Sequence, residues 1–460
     1  MPAKVHSMLP FPDGVFQVQH EVGLRIAYTA GEGKVCRVAT VGDREIVDTR
    51  DLTVGDEGSD PFASWWRAYI RGPKPPPDRD SQPLRFIDLF SSVGGLSLGA
   101  SEAIAALGMR GMPLLAADVD ARALQVYRSN FRPRQTIAGS VRSTIDYRVS
   151  GTGDDARFAY EPTVIDERLV SLVGATDLIL AGPPCQGHSS LNNRSRHDDP
   201  KNLLYLTVPA TAVALGARHV VVENVPNVVS DRNGVVQTTM TLLRDNGYYV
   251  TSGTLAADQF GWPQTRKRFF LVASRDTKPI ALDTLKKLFL RDARPVWWLV
   301  EDLESTPVDG SDVMNSVPEL SEQNRQRIDW LFDNDEYTLP NAIRPDCHKD
   351  GTTYEATYGR MYRDQPAPTI TGGFLTPGRG RFIHPTQRRV LTPHEAARLQ
   401  GFPDWFSLTT KSEPPSRSEL GRWIGNAVPS LLGFIATLSA LGGEVKVAES
   451  DTRIAVVESS

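Results

Sequence analysis

Four short apolar runs, at residues 84–90, 114–117, 177–180 and 219–222, each stop on chemistry rather than on a plain turn. The first leads into Ser91-Ser92-Val93-Gly94-Gly95 and the second into Asp118-Val119-Asp120. The third leads into Ala181-Gly182-Pro183-Pro184-Cys185-Gln186-Gly187 and the fourth into Glu223-Asn224-Val225. Helix-period segments follow the first two, over 96–107 and through Tyr127. Strand, turn, helix in repetition predicts an α/β fold with a doubly wound, Rossmann-like, mostly parallel sheet, whose ligands bind in the crevice beyond the carboxyl ends of the strands. Cys185 is thus a thiol on a proline-stiffened turn at the ligand-binding edge, not a structural cysteine within an apolar run.

The chain is long enough, at 460 residues, for two or three domains. Its sequence has no apolar run of membrane-spanning length, and residues 1–20 lack a basic segment followed by an apolar one, which predicts a cytoplasmic protein with no membrane partner. The 3 cysteines form no CxxC pair or Cys/His cluster, so neither a disulfide framework nor a metal site is expected, and Cys36 and Cys347 are read as inert. The net charge of -4 carries no global signal for nucleic acid, but basic residues cluster locally at Arg266-Lys267-Arg268, at Arg360, Arg363, Arg379 and Arg381, and at Arg388-Arg389.

Along the chain, alternating runs in 14–50 predict a small β-rich extension, and Trp65, Trp66 and Tyr69 are read as a buried anchor. Gly72-Pro73-Lys74-Pro75-Pro76-Pro77 reads as a stiff linker, giving an N-terminal unit 1–82. The α/β rhythm occupies 83–276. It stops over 277–387, a turn-rich segment with Thr371-Gly372-Gly373 and Pro377-Gly378-Arg379, expected to be a smaller irregular domain. Regular structure returns over 388–447 with a capping box at Thr392 and Glu395, and 448–460 is a polar tail.

A glycine turn after the first strand with an acid after the second is a nucleotide-type site, in which Asp118 accepts from ribose hydroxyls. No strict G-x-G-x-x-G is present, and an S-adenosyl ligand, having no pyrophosphate, needs none. The ordered blocks resemble the cytosine-C5 DNA methyltransferases. Asp88-Leu89-Phe90 with Gly94-Gly95-Leu96, Asp118-Val119-Asp120, Gly182-Pro183-Pro184-Cys185-Gln186-Gly187 and Glu223-Asn224-Val225 match that family's early motifs. Gly261-Trp262-Pro263-Gln264-Thr265-Arg266-Lys267-Arg268, Leu391-Thr392-Pro393-His394-Glu395 and Ile424-Gly425-Asn426-Ala427-Val428-Pro429 match its later ones.

The resemblance implies S-adenosyl-L-methionine as cofactor and duplex DNA as partner, with the target base flipped out of the stack. Cys185 would attack C6 of cytosine, Glu223 would bind the ring nitrogen and amine, and Arg266 and Arg268 would hold the base. The cofactor would lie among Phe90, Gly94, Gly95, Leu96, Asp118, Val119, Ser140, Val141, Pro183, Asn426 and Val428. DNA would be met by Gln186, Ser189, Arg194 and Arg196 on a loop that closes after the nucleophile, and by Gln264, Arg360, Thr371, Gly372, Gly373 and Arg379. The segment 277–387 would read the target sequence. The reading also implies a nucleoid-associated location and a restriction or other defence-system partner, and it sets no oligomeric state.

Three positions depart from the family pattern. Ser92 stands where a glycine is usual, Gly139-Ser140-Val141 where an aspartate is usual, and His394 where an arginine precedes the glutamate. Two other readings follow from the same residues: a transfer-RNA cytosine methyltransferase, and a non-catalytic or partner-dependent DNA-binding member of the family.

Overall fold

The computed structural model describes residues 15–19, 24–41, 44–53, 55–56, 60–76, 80–184, 204–349, 356–410 and 413–442. The β-rich extension is an antiparallel meander of β1 (Val15–Gln19), β2 (Leu24–Gly31), β3 (Lys34–Val41) and β4 (Arg44–Asp51). Glu32 and Gly33, both at positive φ, make the two-residue turn whose twist suits a hairpin. In β3 every second side chain, Val35, Arg37 and Ala39, is buried against the rest of the molecule. Helix α1 (Pro61–Arg71) opens with proline in its first turn and buries Trp65, Trp66 and Tyr69, as expected of an anchor. Trp66 meets both Trp262 and Phe434 edge-on, at centroid distances of 6.2 and 5.4 Å.

The central sheet contains β5 (Gln82–Leu89), β6 (Met109–Asp118), β7 (Gln135–Ala138), β8 (Leu178–Ala181), β9 (His219–Asn224), β10 (Tyr249–Ala256) and β11 (Lys267–Ser274). Their order is β10-β11-β9-β8-β5-β6-β7, parallel from β9 to β7, with β11 and β10 antiparallel at the far edge. Every residue of β8 and β9 is buried, because helices cover both faces. β6 begins five residues before the run 114–117. Its first half, containing Gly111 and Pro113, has poor strand propensity but pairs with β5 across a bulge at Phe86/Ile87.

Helices α2 (Gly95–Ala106), α3 (Ala121–Phe131), α4 (Thr207–Leu215) and α5 (Val235–Asp245) follow the strands. In the segment 277–387 a 12-residue helix, α6 (Glu322–Asp333), is more regular than expected; Ser321 caps it by accepting from the Asn324 amide. Its Ile328 and Leu331 form a small core with Leu339 and Ile383, whereas Leu299, Met361 and Ile370 join the main core. The chain returns through α7 (Pro393–Leu399), where the Thr392–Glu395 capping box is present, then α8 (Arg417–Asn426) and α9 (Ser430–Leu441). Residues 417–441 contain an apolar 18-residue stretch long enough to cross a membrane, with mean hydropathy 1.6, but 94% of that stretch is buried within the protein. It breaks at residues 427–429, and α9 lies on α2 so closely that a Cβ on Gly99 would sit 2.1 Å from the Ser430 carbonyl oxygen.

Candidate active site at the carboxyl ends of the strands

The carboxyl ends of β5, β6, β7, β8 and β9 face one cavity of about 750 Å³, within the range of cofactor sites. Phe90, Asp118, Val119, Ser140 and Val141 line one half. Pro183, Glu223, Arg266 and Arg268 line the other, and Asn426 from the end of α8 completes the wall. Antiparallel β11 brings its start to this edge: Asn224 pairs with Phe269, which leaves Arg268 just beyond the end of β9.

In the first half, each Asp118 oxygen accepts a backbone amide, from Ser92 at 2.8 Å and from Asp120 at 2.8 Å. Burial nevertheless holds this carboxyl above the ordinary range. Val119 is 77% exposed, an apolar side chain left open in a polar-rimmed cavity beside Phe90. That surface suits a flat aromatic ring, and the neighbouring Asp118 suits a ribose, so these residues fit an adenosyl group. Phe90 and Ser92 both take left-handed backbone, φ 60 and 47. Strain of this kind collects at functional turns, and at Ser92 it explains why a glycine is the easier residue.

Four residues expected at the cofactor stand behind the wall instead. Gly94 packs on Tyr127 and Phe131, and a Cβ on Gly95 would meet the Val428 carbonyl at 2.9 Å. Leu96 and Val428 are buried in the same seam. They shape the turn from beneath. The sequence reading missed Asp120, Arg422 and Trp423, which line the cavity. Asp120 caps α3 and accepts from Arg422 at 2.6 Å and from the Trp423 indole at 2.8 Å. Burial raises its carboxyl, but Trp423, the α3 amides and Arg422 outweigh that and hold it below the usual range. The available signal was helical spacing, since 422 and 423 share a face with Asn426.

In the second half, Glu223 is buried and its Oε1 pairs with Arg268 Nε at 2.7 Å. Burial lifts the Glu223 carboxyl above its ordinary value, while the charges of Arg268 and Arg266 pull it part of the way back. Asn224 Nδ2 donates to the Pro183 carbonyl at 3.2 Å, tying the Pro183-Pro184 turn to the end of β9. Cys185, which follows that turn, and Gln186, Ser189, Arg194 and Arg196 lie outside the described residues.

Several expected contacts to base or DNA are engaged within the protein. Arg266 lines the cavity but is buried, and its terminal nitrogens donate to the Ile370 carbonyl at 2.7 Å and the Gly425 carbonyl at 3.0 Å. It therefore ties the segment leading into β11 to α8 and to the backbone at Ile370. Gln264 is fully buried and donates to the Leu399 carbonyl at 2.9 Å, so it packs rather than faces DNA. Arg360 donates to the Pro385 carbonyl and Asp335 and lies over Phe332. The backbone of Thr371 and Gly372 is pressed on α8 at Gly421 and Gly425, and Gly373 lies along the exposed Arg379. Residue type marked these positions as polar or flexible but gave no sign of the carbonyls and glycines that meet them.

A family model, C-5 cytosine-specific DNA methylase, matches residues 84–437. The chain is 37% identical over 418 residues to Type II methyltransferase M1.BsuMI of Bacillus subtilis (strain 168), covering 91% of this chain and 92% of that one. It is 30% identical over 359 residues to Type II methylase M.HgiDII of Herpetosiphon aurantiacus, covering 77% and 94%. A solved structure of a prophage-encoded E. coli protein superposes with a TM-score of 0.50 at 23% identity, over 77% of this chain and 97% of that one, which supports the fold. With a family match over most of its length and relatives of this likeness, the chain belongs to the C-5 cytosine-specific DNA methylases.

Proposed function

We propose that this S-adenosylmethionine-dependent cytosine-C5 methyltransferase acts on a flipped-out cytosine in duplex DNA, with Cys185 as nucleophile and Glu223 and Arg268 as the groups that hold the base. The observation that carries the reading is the buried Glu223–Arg268 pair in the same cavity as Asp118 and the open Val119. Bound cofactor supplies an electrophilic methyl group. Asp118, Phe90, Val119, Ser140, Val141 and Asn426 would hold it from one side, with Asp120, Arg422 and Trp423 closing the same wall.

Cytosine C5 is a poor nucleophile until the Cys185 thiolate adds to C6 and makes the ring enamine-like. Glu223, lifted by burial, is suited to present a proton to N3 and an oxygen to the exocyclic amine as charge develops on the ring. Arg268 would reach the ring carbonyl oxygen. Once C5 carries the methyl group, its proton leaves to a base, the C5–C6 double bond reforms and Cys185 is expelled. Arg379, exposed beside Gly373, is a candidate for a phosphate contact.

The two relatives carry Type II names, which supports a role protecting a target sequence from a restriction or other defence nuclease at the nucleoid. The family match supports DNA over transfer RNA. The test is incubation with methyl-labelled S-adenosylmethionine and either duplex DNA or total transfer RNA, followed by nucleoside analysis. Labelled 5-methylcytosine from DNA, absent with Cys185→Ala, is expected. Label confined to RNA, or label from DNA that survives Cys185→Ala, would overturn the assignment.

A further inference from the structure

We propose that Asp88 is a positioning residue for cofactor binding, acting through Ser97 and Tyr127 to fix the strained turn between β5 and α2; the proposal rests on the methyltransferase reading. Asp88 is the penultimate residue of β5 and is 1% exposed; Ser97 on α2 and Tyr127 on α3 are both fully buried. Ser97 Oγ donates to Asp88 Oδ2 at 2.6 Å and lies 2.8 Å from the Tyr127 hydroxyl. Ser97 has one hydroxyl proton, already given to Asp88, so Tyr127 is the donor in the second bond. A single directed chain thus links strand, first helix and second helix beneath the cavity floor.

The turn above it needs such support. Phe90, Ser92 and Gly94 all have positive φ, of 60, 47 and 97. Backbone of this kind persists only where its surroundings over-determine it. The amide of Ser92 is held by Asp118, and Gly94 rests on the Tyr127 ring, where a Cβ would lie 2.9 Å from Cδ2. That ring packs on Phe131 at a centroid distance of 4.6 Å, and its hydroxyl is tied to Ser97 and through it to Asp88. Phe90 and Ser92 are themselves in the cavity wall, so movement at Tyr127 is passed to the cofactor surface. An apolar residue at 88 would fill the space without the cost of burying a carboxyl, which makes the hydrogen-bonded chain the reason for the acid.

The chain also predicts a pH effect. The groups facing Asp88 are Ser97 on α2 and, among titratable residues, Tyr127 on α3 and Asp118 on β6. Burial, with the Asp118 charge adding to it, pushes Asp88 up to about 8, against the pull of the Ser97 hydrogen bond. Asp88 therefore ionises as pH rises through about 8, placing a buried charge under the turn.

The test uses the full chain, with calorimetric titration of S-adenosylhomocysteine, separate titration of duplex DNA, and melting of the free protein. Tyr127→Phe and Ser97→Ala each cut one link, and each is expected to weaken S-adenosylhomocysteine binding about tenfold, the scale of one lost hydrogen bond, with DNA affinity unchanged. Asp88→Asn keeps an acceptor for Ser97; it is expected to bind as the wild type does at pH 7 and to lose the pH dependence that Asp88 ionisation gives the wild type above pH 8. A lower melting temperature with unchanged S-adenosylhomocysteine affinity in the first two variants would overturn the proposal, as would an Asp88→Asn profile that follows the wild type. Wild-type protein that melts cooperatively yet does not bind S-adenosylhomocysteine would overturn the methyltransferase reading itself.

Discussion

Arg268 Nε stands 2.7 Å from Glu223 Oε1, so the cavity contains its own countercharge for a carboxylate that burial would otherwise strongly disfavour. Arg268 lowers the Glu223 titration and burial raises it, with burial the larger influence. Arg268→Ala removes one of the lowering influences, so the Glu223 limb of the pH–rate profile is expected to move to higher pH. Single-turnover methylation should fall about 10²–10³-fold, the usual loss when a preorganised donor is removed. Rates measured from pH 5 to 9 in the mutant and in Arg268→Lys would decide it. An unshifted limb would mean that Glu223 is not the titrating group.

Gly425 shows that a motif glycine can be required by a neighbour rather than by a ligand. A Cβ there would lie 2.1 Å from the Gly372 amide nitrogen and 2.3 Å from the Thr371 carbonyl carbon, both of them backbone. Gly425→Ala is expected to cost about 3 kcal/mol or more in urea unfolding, because neither chain can yield cheaply. Gly139→Ala is the contrast. Its Cβ meets nothing within 4 Å and its backbone is unstrained, yet it lines the cavity. It should unfold like the wild type while binding S-adenosylmethionine more weakly; equal unfolding of the two variants would show that the contact is not rigid.

Ser92 holds φ at 47 in the glycine-bearing turn. Left-handed backbone costs a non-glycine residue about 1–2 kcal/mol, while glycine adds about 0.5–1 kcal/mol of unfolded-state entropy. Ser92→Gly should therefore stabilise the protein by about 0.5–1 kcal/mol and preserve the amide bond to Asp118. Thermal unfolding at constant cofactor concentration reads this directly. A drop in melting temperature would show that the serine hydroxyl stabilises the turn by more than its backbone strain costs.

Strand-end chemistry was legible because parallel strands direct their carboxyl ends to one edge, so Asp118, Pro183 and Glu223 converge without any knowledge of loops. The Thr392–Glu395 cap was equally legible, being a local hydrogen-bond pattern of a few residues. What the sequence hid depends on distant partners. The first half of β6 is a strand only because β5 is beside it, and α6 is masked by its polar Glu322-Gln323-Asn324-Arg325 start. Arg266 reads as a residue that holds the base and Gln264 as a DNA contact until the carbonyls of Ile370, Gly425 and Leu399 are seen to meet them. Arg422 and Trp423 entered the site through Asp120, about three hundred positions away in the chain.

The N-terminal extension is joined to the cofactor helix by a buried charge pair. Arg37 on β3 donates to Glu102 on α2 at 2.6 Å, and its guanidinium lies 4.2 Å over the Trp65 ring. Both partners are buried, so removing Arg37 strands Glu102 without solvent, whereas removing Glu102 leaves Arg37 a second carboxylate, Asp48, at 3.4 Å. Arg37→Ala is expected to destabilise the protein by about 3–5 kcal/mol, and Arg37→Met with Glu102→Leu by far less, because the uncompensated charge rather than the lost attraction dominates the cost. Urea unfolding of the two variants and the single Glu102→Leu protein completes the cycle. If Arg37→Ala were nearly neutral, β3 would not be docked on α2 in solution. The extension would then be an appendage to the methyltransferase rather than part of the wall behind its cofactor turn.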